Sequence, residues 1–501
     1  LTTVIPGRSH AGSLQHSLSL LASAKDDDGH RENNALDNRF LSVRYQLKGS
    51  EKHSSQLSIG GLHSEDTYEL AGLPITPQQP TSSSTPQDGG ETDMQQWVAT
   101  FRSKQNSLLS IHSQLQFRER NNDFVLGYAE LPTLSREDQT DSNQLRAIDA
   151  DLALTTNIHD ALSWQVGGQR SRTRYEAFRG GLNLVDRSRI NRGLLRNEAI
   201  FTALDFDSTQ LKISLGHRLD KSTLDVVQQQ LVQDFSQCPF PFVNCPSIWE
   251  IEPEAREHWR NEASELGLLW RITTSLQAYS QFANTFRNPN TDELQRSDEQ
   301  LKPQQAQQAE LGFRWLNANS WLQRLELSTF HYETNNEILY GEPQPGAPGV
   351  NLNVEGLTRR SGVELSSQFA LPKGFNIKLN SGYIDARIQK TQARIPLTAN
   401  VTHRIDLQWQ SSSEVLAGIS YQYVGDRNDG NDFSDNRRFA SLKSYQLVNT
   451  TLSKAWDLMT VTLGIHNLFN EQYTTAQYSG LAYPMPPRSM TLAIRRNIFD
   501  L

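Results

Sequence analysis

Apolar and polar residues alternate along much of this chain with a period of two. Leu14, His16, Leu18, Leu20 and Ala22 alternate with polar or small neighbours, broken only at Leu21, and Leu41, Val43, Tyr45 and Leu47 do the same. The pattern returns at Ile148, Ala150, Leu152 and Leu154, at Leu162, Trp164 and Val166, at Leu211, Ile213 and Leu215, and at Leu266, Leu268, Trp270 and Ile272. A strand turns successive side chains to opposite faces, so each run has one apolar and one polar face. Helical spacing of useful length is hard to find. Residues 254–269 include helix-favouring types, but from Leu266 onward the apolar positions fit a strand.

The connections add a second constraint. Short polar turns are expected at 48–53, 104–107, 157–161, 205–210, 273–275, 317–320, 372–374, 411–414 and 455–458. Between them lie much longer polar stretches, among them 65–96, 171–198, 221–262, 284–306 and 424–444. Short and long connections alternating along a whole chain are expected of a transmembrane barrel, with short turns on the periplasmic side and long loops outside. Nine short turns join eighteen strands, and runs near 14–23 and 490–498 bring the count to twenty. The expected fold is therefore all-β, one antiparallel membrane-spanning barrel over residues 1–501.

Composition agrees once read against that fold. Mean hydropathy is -0.59, and no apolar run approaches the ~18 residues of a membrane helix. Alternation makes a membrane barrel look soluble on average. The net charge of -8 argues against nucleic acid as a partner. Tryptophans at 97, 164, 270, 315, 321, 409 and 456 sit near strand ends, as interfacial anchors do. The stretch ITPQQPTSSSTPQDGGETD, residues 75–93, is low-complexity and cannot bury a core.

Five segments together resemble the TonB-dependent receptor family. SQFANTFRNPNTDEL (280–294), carrying Phe286, Arg287 and Pro289, looks like the family's FRAP-type strand and loop. LKPQQAQQAELGFRW (301–315), with Glu310 and Gly312, is similar to its LKPE…ELG segment, Gln304 standing for the usual acid. FHYETNNEILY (330–340) and NLNVEGLTRRSGVELS (351–366) look like the strand pair that ends in Gly362 and Glu364. HNLFNEQY (466–473), with Asn467, Leu468, Phe469 and Tyr473, then PPRSMTLAIRRNI (486–498) with Arg488, resemble the terminal signature. KDDDGHRENN (25–34) is similar to a DGYR-type loop. These positions are read as marks of architecture. An Asn-bounded turn after 461–465 tolerates unusual backbone angles, and Gly362 and Gly464 allow close packing in a strand.

The resemblance implies a bacterial outer-membrane location, a 22-stranded barrel, an N-terminal plug, and coupling to the TonB complex through the N-terminal part. No plug or TonB-contacting box lies in this sequence, so both, and one hairpin, are expected upstream of Leu1, although 1–13 has room for the end of a strand. The family usually ends on an aromatic residue; here Phe499 precedes the end by two.

No enzyme motif occurs, and the twelve histidines are scattered singly, so His403 and His466 are read as polar strand residues and neither metal nor cofactor is expected. Cys238 and Cys245 stand in a Pro- and Phe-rich segment without His; a loop-closing disulfide fits an oxidising compartment, free thiols being the alternative. The sharpest feature is residues 171–198, read as a loop carrying Arg172, Arg174, Arg179, Arg187, Arg189, Arg192 and Arg196 against Glu176 and Asp186. The arginine fork suits carboxylates and phosphates. Two partners fit: an anionic ligand drawn in by steering, or the acidic lipopolysaccharide around the barrel.

The expected function is energised uptake of a scarce bulky nutrient by a monomeric receptor, most simply an anionic ferric siderophore. Residues 286–301 hold no His, which disfavours haem. Pyrroloquinoline quinone also fits the arginines, and cobalamin gains little from them. A plugless diffusion porin and a soluble polysaccharide-binding β protein are the readings from other classes.

Overall fold

A computed structural model describes residues 2–496 except segments 9–13, 50–54, 75–80, 105–107, 128–137, 180–188, 238–245, 342–349 and 434–438 and the positions 73, 84, 86, 253, 291–292, 295–296, 298–299 and 479. Among the described residues there are 26 strands and two single-turn 3-10 helices, and 22 of the strands belong to one sheet. No helix among the described residues is long and apolar enough to cross a membrane.

The chain divides into two compact units. The first, residues 1–205, 216–263 and 290–295, is a ladder of sequential antiparallel strands. It runs Thr2–Arg8, Gln15–Asp27, Leu36–Lys48, Ser55–Glu69, Gly89–Lys104, Leu109–Gly127, Asp138–His159, Leu162–Arg179 and onward through Arg189–Asp207 and Leu211–Gln233. The second, residues 206–215, 264–289 and 296–501, continues the same plan. Its ladder is Leu276–Arg287, Gln304–Leu316, Leu322–Asn335, Leu357–Leu371, Phe375–Ile388, Val401–Gln410, Val415–Val424, Tyr445–Trp456, Met459–His466 and Ser489–Arg496. Two small hairpins, Ile338–Gly341 with Val350–Asn353 and Thr474–Tyr478 with Leu481–Pro484, stand in long connections of this unit.

The nine expected short turns all fall between paired strands, and every connection between those turns is longer. Two corrections concern length and count. Thr2–Arg8 pairs with Gln15–Asp27, and Ser247–Ile251 lies along Leu211–Gln233, so the sheet holds more strands than the twenty counted by pattern. Pro6 and Gly7 interrupt the first, and the second is only five residues long, so neither alternates visibly. Residues 254–269 form no helix; Ala255–Arg271 is one strand.

The strands also outrun their apolar stretches. Crossing a hydrocarbon core takes ~9–11 tilted residues, whereas Asp138–His159 has 22 and Leu211–Gln233 has 23. On the former the large exposed apolar side chains are Ile148, Leu152, Leu154 and Ile158, all at the short-turn half and all of one parity. Beyond Ile148 that face turns polar, with Arg146, Gln144 and Ser142, while the hydrogen-bonded ladder goes on to Asp138. Most of the tryptophans mark the short-turn ends: Trp164 in the first unit, and Trp270, Trp315, Trp321, Trp409 and Trp456 in the second. Trp97, Trp249 and Trp259 are the exceptions, Trp97 mid-strand and 54% exposed.

Candidate functional site

Opposite the apolar face, the polar face of the second unit carries a connected group of charges. Tyr279, Glu310, Arg314, Arg324 and Glu326 come from three neighbouring strands, and register sets Tyr279 opposite Gly312 and Arg314 opposite Glu326. Arg314 donates from Nη2 to Glu326 Oε1 at 2.7 Å, and Arg324 donates to the other carboxylate oxygen. The Tyr279 hydroxyl lies 3.2 Å from Glu310 Oε1 and 3.1 Å from Glu326 Oε1. The Arg314 guanidinium stacks 5.2 Å from the centre of the Tyr279 ring. Next to this group Glu364, Asn380, Arg404 and Gln422 line a cavity of about 490 Å³. Arg404 is itself held by Asp406 at 2.9 Å. In the first unit Arg44, Gln46, Gln56 and Arg102 line a smaller cavity of about 310 Å³ on the polar face. Both are open, hydrophilic walls rich in donors and acceptors. They suit a hydrated passage or the docking of a polar surface. In the larger one Ser381 Oγ lies 2.9 Å from His403 Nδ1, and Tyr423 stacks 5.9 Å from the His403 ring, centre to centre.

The family-motif positions have particular partners in the structure. Phe286 and Arg287 end the strand Leu276–Arg287, where Arg287 Nε donates to Gln304 at 3.1 Å, and Pro289 just beyond is buried. Glu310 and Gly312 belong to the Tyr279 group, and Glu364 lines its cavity. Gly362 faces the Phe330 ring. Asn467 and Asn470 adopt positive φ of 48° and 55° at the turn after Met459–His466. The Asn467 side chain accepts from Glu471 N at 2.8 Å and donates to Glu471 O at 2.9 Å, while its own N–H donates to Asn449 Oδ1 at 2.9 Å. Leu468 N donates to Val448 O, and Asn470 Oδ1 accepts from Arg488 N at 2.9 Å. Phe469 is exposed, and Tyr473 packs 4.7 Å from Tyr445, ring centre to ring centre. Burial, with Tyr445 alongside, pushes the Tyr473 phenol up.

The arginine segment is where sequence and structure part. Residues 171–198 are mostly strand: Leu162–Arg179 and Arg189–Asp207 leave only 180–188 as a connection. Arg187 lies outside the described residues, as do the side chains of Arg179 and Arg189. Arg172 and Arg174 share parity with Trp164 and Val166, so they project from the apolar face, further along the same strand. Arg192 and Arg196 do the same on the next strand, beyond Ile200, Leu204 and Phe206. Arg192 Nε pairs with Glu176 at 3.0 Å and Arg196 Nη1 with Asp225 at 2.6 Å. Asp225 also takes Arg256 Nε at 2.5 Å.

Two constellations escaped the sequence reading. Tyr279, Arg314, Arg324 and Glu326 are ordinary strand residues until register joins them. His63, Glu65 and Asp93 bring one ligand atom each to within 4.8 Å of one another, across the strands Ser55–Glu69 and Gly89–Lys104. Asp93 had been placed in a connection, which hid that neighbourhood. Cys238 and Cys245 lie outside the described residues.

The sequence matches the family model described as TonB dependent receptor-like, beta-barrel, over residues 26–468. The vitamin B12 transporter BtuB of Vibrio cholerae is 25% identical over 261 residues, 49% of this chain and 39% of that protein. The chain thus spans about two fifths of the length of the curated relatives it matches. Among solved structures, the ferric yersiniabactin uptake receptor FyuA from Yersinia pestis superposes with a TM-score of 0.78 at 14% identity, covering 99% of this chain and 77% of that one. The closed form of the ferric-catecholate import receptor Fiu from E. coli gives 0.75 at 16% identity, covering 99% and 78%. At these identities the likeness is one of fold.

Proposed function

This chain belongs to the TonB-dependent receptor-like β-barrel family, and from that premise we propose that it is the barrel of a transporter that takes up a ferric siderophore. The family and the fold are those of outer-membrane receptors and transporters. The apolar face meets lipid, and the polar face forms the wall past which ligand travels. In this reading the long connections capture the ligand, and TonB, acting on a plug outside this sequence, opens the way. The charged wall around Glu326 and Arg404 offers that plug fixed donors and acceptors. The observation that carries the ligand class is the nearly full-length fold match to FyuA and Fiu, both named for ferric siderophores.

Cobalamin is the second reading, favoured by the match to BtuB. The sequence argument against it rested on the arginines of 171–198, and Arg172 and Arg174 project from the lipid-facing side. The test is uptake of radiolabelled iron with citrate, catecholate and hydroxamate siderophores, and of labelled cobalamin, in cells with and without the gene. Gene-dependent iron uptake that vanishes without TonB supports the siderophore reading. Gene-dependent cobalamin uptake with unchanged iron uptake replaces it. Uptake indifferent to TonB supports the diffusion porin instead.

A further inference from the structure

We propose that the outer wall of the first unit holds a phosphorylated, acylated glycolipid of the outer leaflet. The acyl chain lies in an apolar groove, and the phosphates sit on a cationic belt directly above it.

The groove measures about 680 Å³. Leu152, Gly168, Ile200 and Leu219, from four strands, form its floor, and Arg170, Lys221 and Arg260 stand along it. All seven share the apolar face of their strands. Gly168 lies opposite Leu152 in the ladder and opens the groove, because it puts no side chain between its neighbours. The groove exposes far more apolar than polar surface, which is how a surface looks when its solvent is hydrocarbon.

Above the floor each strand changes from apolar to charged, the change on Asp138–His159 coming two register pairs further along than on its neighbour, since Ile148 lies opposite Arg172. Toward the long connections, Ile148 gives way to Arg146, Gly168 to Arg170, Arg172 and Arg174, Ile200 to Glu198 and Arg196, and Leu219 to Lys221. On Ala255–Arg271 the change runs from Leu266 through Ser264 and Glu262 to Arg260 and Arg256. Several of these charges pair among themselves: Arg146 with Glu119 at 2.8 Å, Arg170 with Glu198 at 3.4 Å, Arg192 with Glu176, and Arg196 and Arg256 with Asp225. Arg172, Arg174, Lys221 and Arg260 have no ion-pair partner among the described residues, and Glu262 is the one unpaired acid among them on this stretch. Arg174 even faces Arg146 across the ladder, a like-charge pair that costs stability unless an anion lies between them.

A receptor drawing a soluble anion inward would place such cations on the polar face or in its connections. These stand on the lipid side, at the level where the apolar band ends on the long-loop side. That level is the outer-leaflet headgroup region, and a phosphate there meets guanidinium forks. Cation belt and apolar groove together match an amphiphile with phosphates at one end and saturated chains at the other. Neither feature alone separates that from a free phosphate or an ordinary lipid.

The protein purified in mild detergent from outer membranes is titrated with hexa-acylated bisphosphorylated lipid A and read by native mass spectrometry. The controls are the dephosphorylated lipid, phosphatidylglycerol and inorganic phosphate. Two variants separate the halves of the site. The quadruple change Arg172→Gln, Arg174→Gln, Lys221→Gln and Arg260→Gln removes the unpaired cations. Gly168→Leu fills the groove, and its Cβ meets nothing nearer than Ala199 O at 3.5 Å, an ordinary contact. The expected result is a tenfold or greater loss of bisphosphorylated lipid in the quadruple variant and a severalfold loss in Gly168→Leu. Both variants should keep unheated-SDS resistance. Equal occupancy in wild type and both variants overturns the proposal. So does equal binding of the dephosphorylated lipid or phosphatidylglycerol, or displacement of the lipid by millimolar inorganic phosphate. Nutrient uptake is a separate readout, and its loss or retention in these variants leaves the lipid measurement standing.

Discussion

Gly312 lies directly across the ladder from Tyr279, and the Tyr279 ring covers it so closely that a Cβ at Gly312 would sit 2.6 Å from Cε1. The same arrangement recurs at Gly61 under Trp97 and at Gly362 under Phe330, each glycine paired in register with its aromatic. A strand glycine leaves a gap, and a cross-strand aromatic that fills it pins register. Gly312→Ala is expected to push the Tyr279 ring off its seat and lower stability by about 1–3 kcal/mol. Thermal unfolding in detergent measures this. Gly312→Ala with Tyr279→Ala should cost less than the sum of the two single changes, since the clash goes with the ring. Strict additivity would mean that the contact carries no energy.

Glu326 accepts from Arg314, Arg324 and Tyr279 together, with its side chain 15% exposed. Glu326→Leu leaves two guanidinium groups without that acceptor and is expected to cost about 1–3 kcal/mol. Arg324→Leu removes one donor of the three and should cost less, its side chain being 47% exposed. Melting temperatures of the two variants give the order, and a larger loss for Arg324→Leu would contradict the arrangement.

Asn467 combines a positive φ with a side chain tied to Glu471 on both its N–H and C=O. Asn467→Gly keeps the backbone angle and loses the ties, whereas Asn467→Ala loses both. The expected order of stability is wild type, then Gly, then Ala, with Ala down by about 2 kcal/mol or more. Limited proteolysis within 467–488 and thermal unfolding report it. Ala as stable as Gly would show that the backbone angle is not what selects Asn.

Which parts were legible in the sequence follows from the solvent each strand meets. At Ile148, Leu152 and Leu154 one face meets lipid and the other water, so alternation appears and the strand is readable. From Arg172 on, arginines replace apolar residues on the outward face, so the alternation fades and the residue types no longer separate that strand from a loop, although the ladder continues unbroken to the pair Asp141 and Arg179. Hence the arginine cluster was visible as charge and misplaced as loop. Its face was still recoverable, because Trp164 and Val166 fix the parity that Arg172 and Arg174 inherit. The group around Glu326 was not recoverable, since it depends on the register of three strands. Turn positions were legible because Asn and Ser at 317–320, or the three serines at 411–413, interrupt the alternation on both faces at once.

Asp429 is fully buried, and its carboxylate accepts from Asn431 N at 2.9 Å, Gln477 Nε2 at 3.1 Å and Gly480 N at 2.9 Å. These bonds join the connection 425–444 to the connection 467–488, and Gly430 N adds a further bond to Gln477 O at 2.8 Å. A carboxylate can accept from all three because every lone pair is available. Asp429→Asn replaces one acceptor oxygen with a donor, which faces a backbone N–H wherever the amide turns. The expected cost is about 1–3 kcal/mol, concentrated in the two connections and sparing the strands below. Hydrogen exchange should therefore speed up in 425–444 and 467–488 while Tyr445–Trp456 and Met459–His466 stay protected. If those connections take part in capture, Asp429→Asn raises the ligand concentration needed for half-maximal uptake and leaves the maximal rate near wild type. Unchanged exchange in both connections would mean that Asp429 does not join them, whatever the uptake assay gives.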